Sequence, residues 1–222
     1  MIAFLGGTFD PVHLGHLHAA RTVRDALACA EIRLVLAARP SHRALPVASI
    51  ADRWAMLCLA VEGQPGLVAD DSEMNRGTPS YTIDSLAVAR AAHGPETPLV
   101  WIVGWDAYRL LPTWKSWRDL PAAGHLLVVR RPGEASPLDA EMEAFTRRHR
   151  ARDIAAMQRS PAGTVYVLEA GMLDVSASDI RRRCARGEAV EHLLPAPVWS
   201  YIRSRQLYGT EAPRLNVTST SA

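Results

Sequence analysis

Short apolar runs recur along the chain, and most are followed by a longer helix-like stretch. IAFL (2–5) leads into an alanine-rich helix from about Leu14 to Ala30, and IRLVLA (32–37) into a loop and a helix from about Ile50 to Val61. A short run at Leu67 and Val68 precedes a polar loop and a helix from about Thr82 to Ala92. PLVWIVG (98–104), HLLVVR (125–130) and TVYVL (164–168) are further strand candidates. Strands that are apolar throughout, each followed by a helix, suit a parallel sheet covered on both faces. The pattern therefore predicts an α/β fold with a doubly wound parallel sheet joined by right-handed crossovers. Ligands of such sheets bind beyond the carboxyl ends of the strands, near the point where strand order reverses. GGTFDP (6–11) and GWD (104–106) each follow a strand directly, so both belong on that rim.

RRPGEASP (130–137) is a turn-rich break, and the stretch after it, through about Gln158, reads as a charged, exposed helix. The last third is mostly helical, with Ser176 and Asp179 resembling a capping box and Gly187 suiting a helix stop. Residues 1–210 are expected to form a single domain, of which about 175–210 is a small helical C-terminal part. The polar, unpatterned EAPRLNVTSTSA (211–222) is expected to be disordered.

Composition narrows the function classes. A chain of 222 residues supports one substantial core, and 48% apolar with 22% charged residues is ordinary for a soluble globular protein. Basic and acidic residues number 25 and 23, a net of +2, too even for a general nucleic-acid binder. Any phosphate-binding capacity must then be local. Cys29, Cys58 and Cys184 show no paired metal-ligand spacing and read as small apolar residues of helix-like stretches. An odd cysteine count, no signal peptide and no apolar run near the roughly 20 residues of a membrane span predict a cytoplasmic protein without a membrane partner. Nothing in the sequence sets an oligomeric state.

The chemistry concentrates in GGTFDPVHLGHL (6–17). Gly6 and Gly7 let the backbone turn sharply and approach a ligand, and the helix that follows points its positive end at the same place. The spacing matches neither the Walker A loop nor the GxGxxG fingerprint. His13 and His16, three apart, share a helical face. They are open to three readings: metal ligands, structural histidines, or donors to phosphate oxygens. A metal site lacks ligands of comparable placement, and Gly15 between them leaves room for a base or ribose. Elsewhere, RPSHR (39–43) reads as a solvated pair, TPSYTIDSL (78–86) as a capped helix start and three consecutive arginines at 181–183 as a solvated face. Trp117 reads as core. Asp10 suits either a turn beside Pro11 or a water-mediated ion contact.

His13-Leu14-Gly15-His16 resembles the (H/T)xGH signature of the nucleotidyltransferase superfamily, and further motifs to about residue 208 are similar to those of bacterial nicotinate-nucleotide adenylyltransferases. RPSHR resembles that family's PPHK/PPHR loop, with Ser41 replacing a proline. TPSYTIDSL resembles its SYT-x-x-T-L segment, with Ser85 for threonine. GWDAYRLLPTWKSW (104–117) resembles its GxD…LPxW segment, with Trp105 where a small or polar residue is usual. VSASDIRRRC (175–184) resembles its ISSTxIR motif, with Ala177 replacing a serine, and LLPAPVWSYIRSRQLY (193–208) its last helix.

The resemblance implies a Rossmann-like nucleotidyltransferase fold and adenylyl transfer from ATP to nicotinate mononucleotide, giving nicotinate adenine dinucleotide and pyrophosphate. It assigns charge stabilisation to His13, His16, His42, Arg43 and Arg181. It places ATP against Gly6, Gly7, Thr8, Phe9, Gly15, Ser176, Ser178 and Ile180. Nicotinate mononucleotide falls to Ser80, Tyr81, Thr82, Gly104, Asp106 and Trp114. Mg²⁺ is expected on the ATP phosphates rather than in a protein cage. The rivals are a sibling transferase acting on nicotinamide mononucleotide or phosphopantetheine, and a non-catalytic nucleotide-binding module.

Overall fold

The computed structural model describes residues 1–40, 45–134 and 136–210. Six strands, β1 (Ile2–Gly7), β2 (Ile32–Leu36), β3 (Leu67–Asp70), β4 (Leu99–Gly104), β5 (His125–Arg130) and β6 (Val165–Glu169), form one sheet ordered β3-β2-β1-β4-β5-β6. Every pairing is parallel. β1 lies between β2 and β4, with Ala3 opposite Ile32 and Val100. Chain order reverses at the β1/β4 boundary, which is where a crevice opens in a sheet of this order.

Among the described residues, eight α-helices accompany the strands: α1 (Leu14–Leu27), α2 (Ile50–Val61), α3 (Thr82–His93), α4 (Trp105–Arg109), α5 (Leu120–Ala123), α6 (Ala140–His149), α7 (Ala177–Ala185) and α8 (Ala196–Ser204). Alternate strand residues face opposite cores, as the period of two dictates. Val100 and Ile102 join Leu17 of α1, Met56 of α2, Ile180 of α7 and Ile202 of α8. Leu99, Trp101 and Val103 join Leu86 of α3, Tyr108 of α4, Leu120 of α5 and Phe145 of α6. The doubly wound expectation is met, and the C-terminal helices pack onto the α1/α2 face.

Two helices differ from the pattern. α1 stops at Leu27 because Ala28 takes a left-handed conformation (φ 48°, ψ 37°) and closes the helix through its N–H. Cys29 therefore follows the helix; it is half-buried, as is Cys58, while Cys184 is buried. The charged stretch after residue 137 is not one exposed helix. α6 ends at His149 and buries Met142 and Phe145; Ala151 then donates its N–H to the Val165 carbonyl along β6, at 2.8 Å. The edge strand captures the backbone there, and a separate 3-10 turn, capped by Asp153, covers Ile154–Gln158. At α7 the Ser176 cap forms, but Asp179 pairs with Arg182 and Arg183 instead of completing a capping box. Among the described residues, no helix is long and apolar enough to cross a membrane.

Candidate active site

A cavity of about 1020 Å³ opens above the carboxyl ends of β1 and β4. One wall is the loop from β1 into α1, contributing Gly6, Gly7, Thr8, Phe9, His13, Gly15 and His16. Its glycines answer to the protein's own packing. A Cβ on Gly6 would lie 2.5 Å from the Trp101 indole, and one on Gly7 would lie 2.7 Å from the Phe9 ring. A Cβ on Gly15 would lie 3.0 Å from His13 Nδ1, so the space expected for a base or ribose already borders an imidazole.

His13 and His16 stack with ring centroids 3.7 Å apart, and the edge of Phe9 closes on His16 at 5.0 Å. His16 Nδ1 accepts the His13 backbone N–H at 3.2 Å, which orients the imidazole at the helix start. His13 is 5% exposed, and its buried Nδ1 has no hydrogen-bond partner among the described residues. Burial lowers its pKa to about 4, so it is neutral at physiological pH. A neutral ring tolerates a stacked neighbour that a cation would repel.

Beneath this wall lies a polar network that motif reading missed. Asp10, 4% exposed, spends its carboxylate on the protein: Oδ2 accepts the Val47 N–H at 2.8 Å, and Oδ1 accepts the Ala48 N–H at 3.1 Å and the Tyr208 hydroxyl at 2.8 Å. Asp10 does sit in a turn with Pro11, as expected, and its carboxylate in addition fastens that turn to distant segments. Burial and the Asp10 charge push the Tyr208 phenol far up, so its hydroxyl remains a donor. Arg53, 1% exposed, donates to the carbonyls of Thr8 (2.9 Å), Ala37 (2.8 Å) and Ala38 (2.8 Å). It thereby ties the β1–α1 wall to the end of β2. Burial lowers its pKa, and the nearby Asp10 charge opposes that. The signal was present in IADRWAMLCLAV: Arg53, Met56, Leu57 and Ala60 share one buried helical face.

The opposite wall holds the second set of motifs. α3 starts after its N-cap residue Tyr81, whose side chain makes no cap hydrogen bond, so the N-cap position is not the expected serine or threonine. Ser80 instead pairs with Arg39, its Oγ accepting that N–H at 3.2 Å and its own N–H reaching the Arg39 carbonyl at 2.9 Å. Tyr81 and Thr82 line the cavity beside Ser80, leaving the positive end of α3 facing it. Gly104 is exposed, with open space where a Cβ would stand. Asp106, in the first turn of α4, is exposed to the cavity, and Trp114 is half-buried in its wall. Trp117 is buried core, as expected. Trp105 is buried too; its indole N–H donates to the Ser136 carbonyl at 3.1 Å while Arg130 stacks on the ring at 4.9 Å.

α7 closes a third side. Ser176 caps it by accepting the Asp179 N–H at 3.2 Å, and Ser178 lies 3.3 Å from Ser176 between the hydroxyls. Arg181 reaches into the cavity wall and donates to the Asp10 carbonyl at 2.6 Å. Ile180 differs from expectation: its side chain is fully buried in the core and takes no part in the cavity wall. It anchors α7, so any contact with a nucleotide falls to its backbone. His42 and Arg43 lie outside the described residues, as do Ser41 and the segment 211–222. Among the described residues, no cluster of three or more His, Cys, Asp or Glu side chains is placed to hold a metal ion.

Comparison with known proteins agrees with this geometry. Residues 4–183 match the model of the cytidylyltransferase-like family. The probable nicotinate-nucleotide adenylyltransferase of Laribacter hongkongensis is 44% identical over 96% of both chains, and that of Marinobacter nauticus is 40% identical over 94% of this chain and 97% of the relative. The fold matches the Plasmodium falciparum nicotinic acid mononucleotide adenylyltransferase, solved in complex with NaAD, with a TM-score of 0.73 at 16% identity, covering 95% of this chain and 98% of that one. The chain belongs to the cytidylyltransferase-like family and, within it, to the nicotinate-nucleotide adenylyltransferases.

Proposed function

We propose that the protein transfers the adenylyl group of ATP to nicotinate mononucleotide, releasing pyrophosphate and forming nicotinate adenine dinucleotide, in the cytoplasm. The observation that carries this reading is one cavity bordered both by the β1–α1 loop with Arg181 and by the uncapped start of α3 with Trp114. The 44% identity to a relative of that name supports the choice of acceptor.

The 5′-phosphate of the mononucleotide attacks the α-phosphorus of ATP in line, and the bond to the pyrophosphate oxygen breaks. The attacking group is already an anion, so no covalent enzyme intermediate is needed. Two polyanions must be held together, which makes positioning and charge stabilisation the main sources of rate. His13 serves as a neutral hydrogen-bond donor, and His16, oriented by the His13 backbone, acts beside it. His42 and Arg43, in the segment that follows β2 in sequence, and Arg181 supply further charge. Ser176 and Ser178 border the triphosphate at α7, and the backbones of Gly6, Gly7, Thr8 and Phe9 approach it from β1. Mg²⁺ enters as part of the MgATP substrate. On the acceptor side, the N–H groups of the first turn of α3, beside Ser80, Tyr81 and Thr82, bind the nicotinate carboxylate. Trp114 stacks on the pyridine ring, and Asp106 accepts from ribose hydroxyls beside Gly104.

The test is a panel of acceptors with MgATP, read by pyrophosphate release and by the dinucleotide product. Turnover with nicotinate mononucleotide well above nicotinamide mononucleotide and phosphopantetheine is expected. ATP binding without turnover of any acceptor would instead support a nucleotide-binding module.

A further inference from the structure

The acceptor wall carries a charge pair that none of the motif roles uses. Lys115, the neighbour of Trp114, places its Nζ 3.1 and 3.0 Å from the two carboxylate oxygens of Asp84. The same ammonium lies 4.8 Å from the centre of the Tyr81 ring, and Lys115 borders the cavity. Asp84 sits in the first turn of α3, where a carboxylate is favoured by the helix dipole as long as that end is empty. An anionic ligand at the same helix end meets a like charge there. Lys115 is the group that cancels it.

Of the other acids on this wall, Asp106 is exposed at the start of α4, and Glu73 is paired. It is 4% exposed, with Arg76 at 3.1 Å and the Ser85 hydroxyl donating to it. The Lys115–Asp84 pair is partly exposed, with side-chain exposures of 47% and 38%, so it borders the space a ligand enters.

We propose that Lys115, by neutralising Asp84, sets the preference of this site for an acceptor ring bearing a carboxylate over one bearing a carboxamide. The inference rests on the acceptor reading given above. With Lys115 present, the start of α3 offers its N–H groups without a net opposing charge. Without it, Asp84 repels an incoming carboxylate and leaves a neutral carboxamide nearly unaffected. Lys115 is a specificity residue and touches no reacting atom.

The experiment measures kcat/KM for nicotinate and nicotinamide mononucleotides at saturating MgATP, in the parent protein, K115M, D84N and the double variant. K115M is expected to lower the value for the acid about fivefold and for the amide less than about twofold, the scale of an exposed ion pair. Combining D84N with K115M is expected to return the acid-to-amide ratio to within about twofold of the parent. Equal losses for both acceptors in K115M would overturn the inference and leave the pair a structural tie. A double variant that keeps the K115M ratio would also overturn it. A parent protein that prefers the amide would overturn the acceptor reading itself, before any variant is compared.

Discussion

The two walls of the cavity are built in opposite ways. The β1–α1 wall rests on buried charge: Asp10 at 4% and Arg53 at 1% exposure bond to backbone and side-chain partners within the protein. The α3 wall is open, with an uncapped helix start, an exposed Asp106 and an ion pair at the surface. A loop facing a triphosphate must keep its dipoles aligned against strong charge, and buried hydrogen bonds fix them before the ligand arrives. A wall that chooses among similar acceptors works through small differences in charge and contact, which solvent-facing groups can adjust. On the function proposed above, rigidity would lie with the ATP wall and selectivity with the acceptor wall.

Breaking the buried network tests the first half of that contrast most severely. Arg53→Met leaves three carbonyls without their donor and removes one of the two cations near Asp10, the other being Arg181 at 3.7 Å, at a cost of about 3 kcal/mol or more in chemical denaturation. A stability change under about 1 kcal/mol would show that the network is incidental. His16→Ala strikes the chemistry instead: kcat is expected to fall about 10²-fold, with a stability loss near 1 kcal/mol from the missing partner of the His13 N–H. Full activity in that variant would remove the imidazole from the mechanism.

Acid acts on the same wall more gently. His13 is neutral in the fold with a pKa of about 4, below its ordinary 6.5, so the unfolded chain binds a proton first. Its contribution is complete above about pH 6.5 and is lost as the pH falls from there towards 4, about 1 kcal/mol having gone by pH 5.5. His125 adds in the same direction: the Thr164 N–H at 3.3 Å points at its Nδ1, its Nε2 faces the Ser160 carbonyl at 2.8 Å, and burial lowers its pKa. Unfolding free energies measured between pH 7.5 and 5 should decline; a flat profile would mean these rings are not held neutral. On the open wall, Trp114→Ala is expected to raise KM for the mononucleotide several-fold, about 1 kcal/mol of stacking, and to spare KM for ATP. Equal losses for both substrates would erase the division between the walls.

Much of this was legible in the chain. The six strands follow from apolar runs that a sheet buried on both faces demands, and the ends of β1 and β4 put Gly6–Gly7 and Gly104 on the rim. The places where the reading slipped are instructive. Capping was expected at Ser80 and Thr82, yet Ser80 was drawn to Arg39, a residue 41 positions away. Gly15 was read as room for a ligand, but the neighbouring imidazole claims that boundary. Asp10 takes its expected place in a turn, but its carboxylate partners were not foreseen because they are 37, 38 and 198 positions distant.

The sequence by itself determined the order of strands and helices, the doubly wound sheet and which segments border the crevice. Those features depend on local periodicity and on short connections, which neighbouring residues encode. Only the tertiary structure decided that Asp10, Arg53 and Tyr208 share one buried network, that His13 stays neutral, and that Lys115 meets Asp84. Such pairings leave no periodic trace, because they arise where segments distant in sequence are pressed together and buried charge must find its partner.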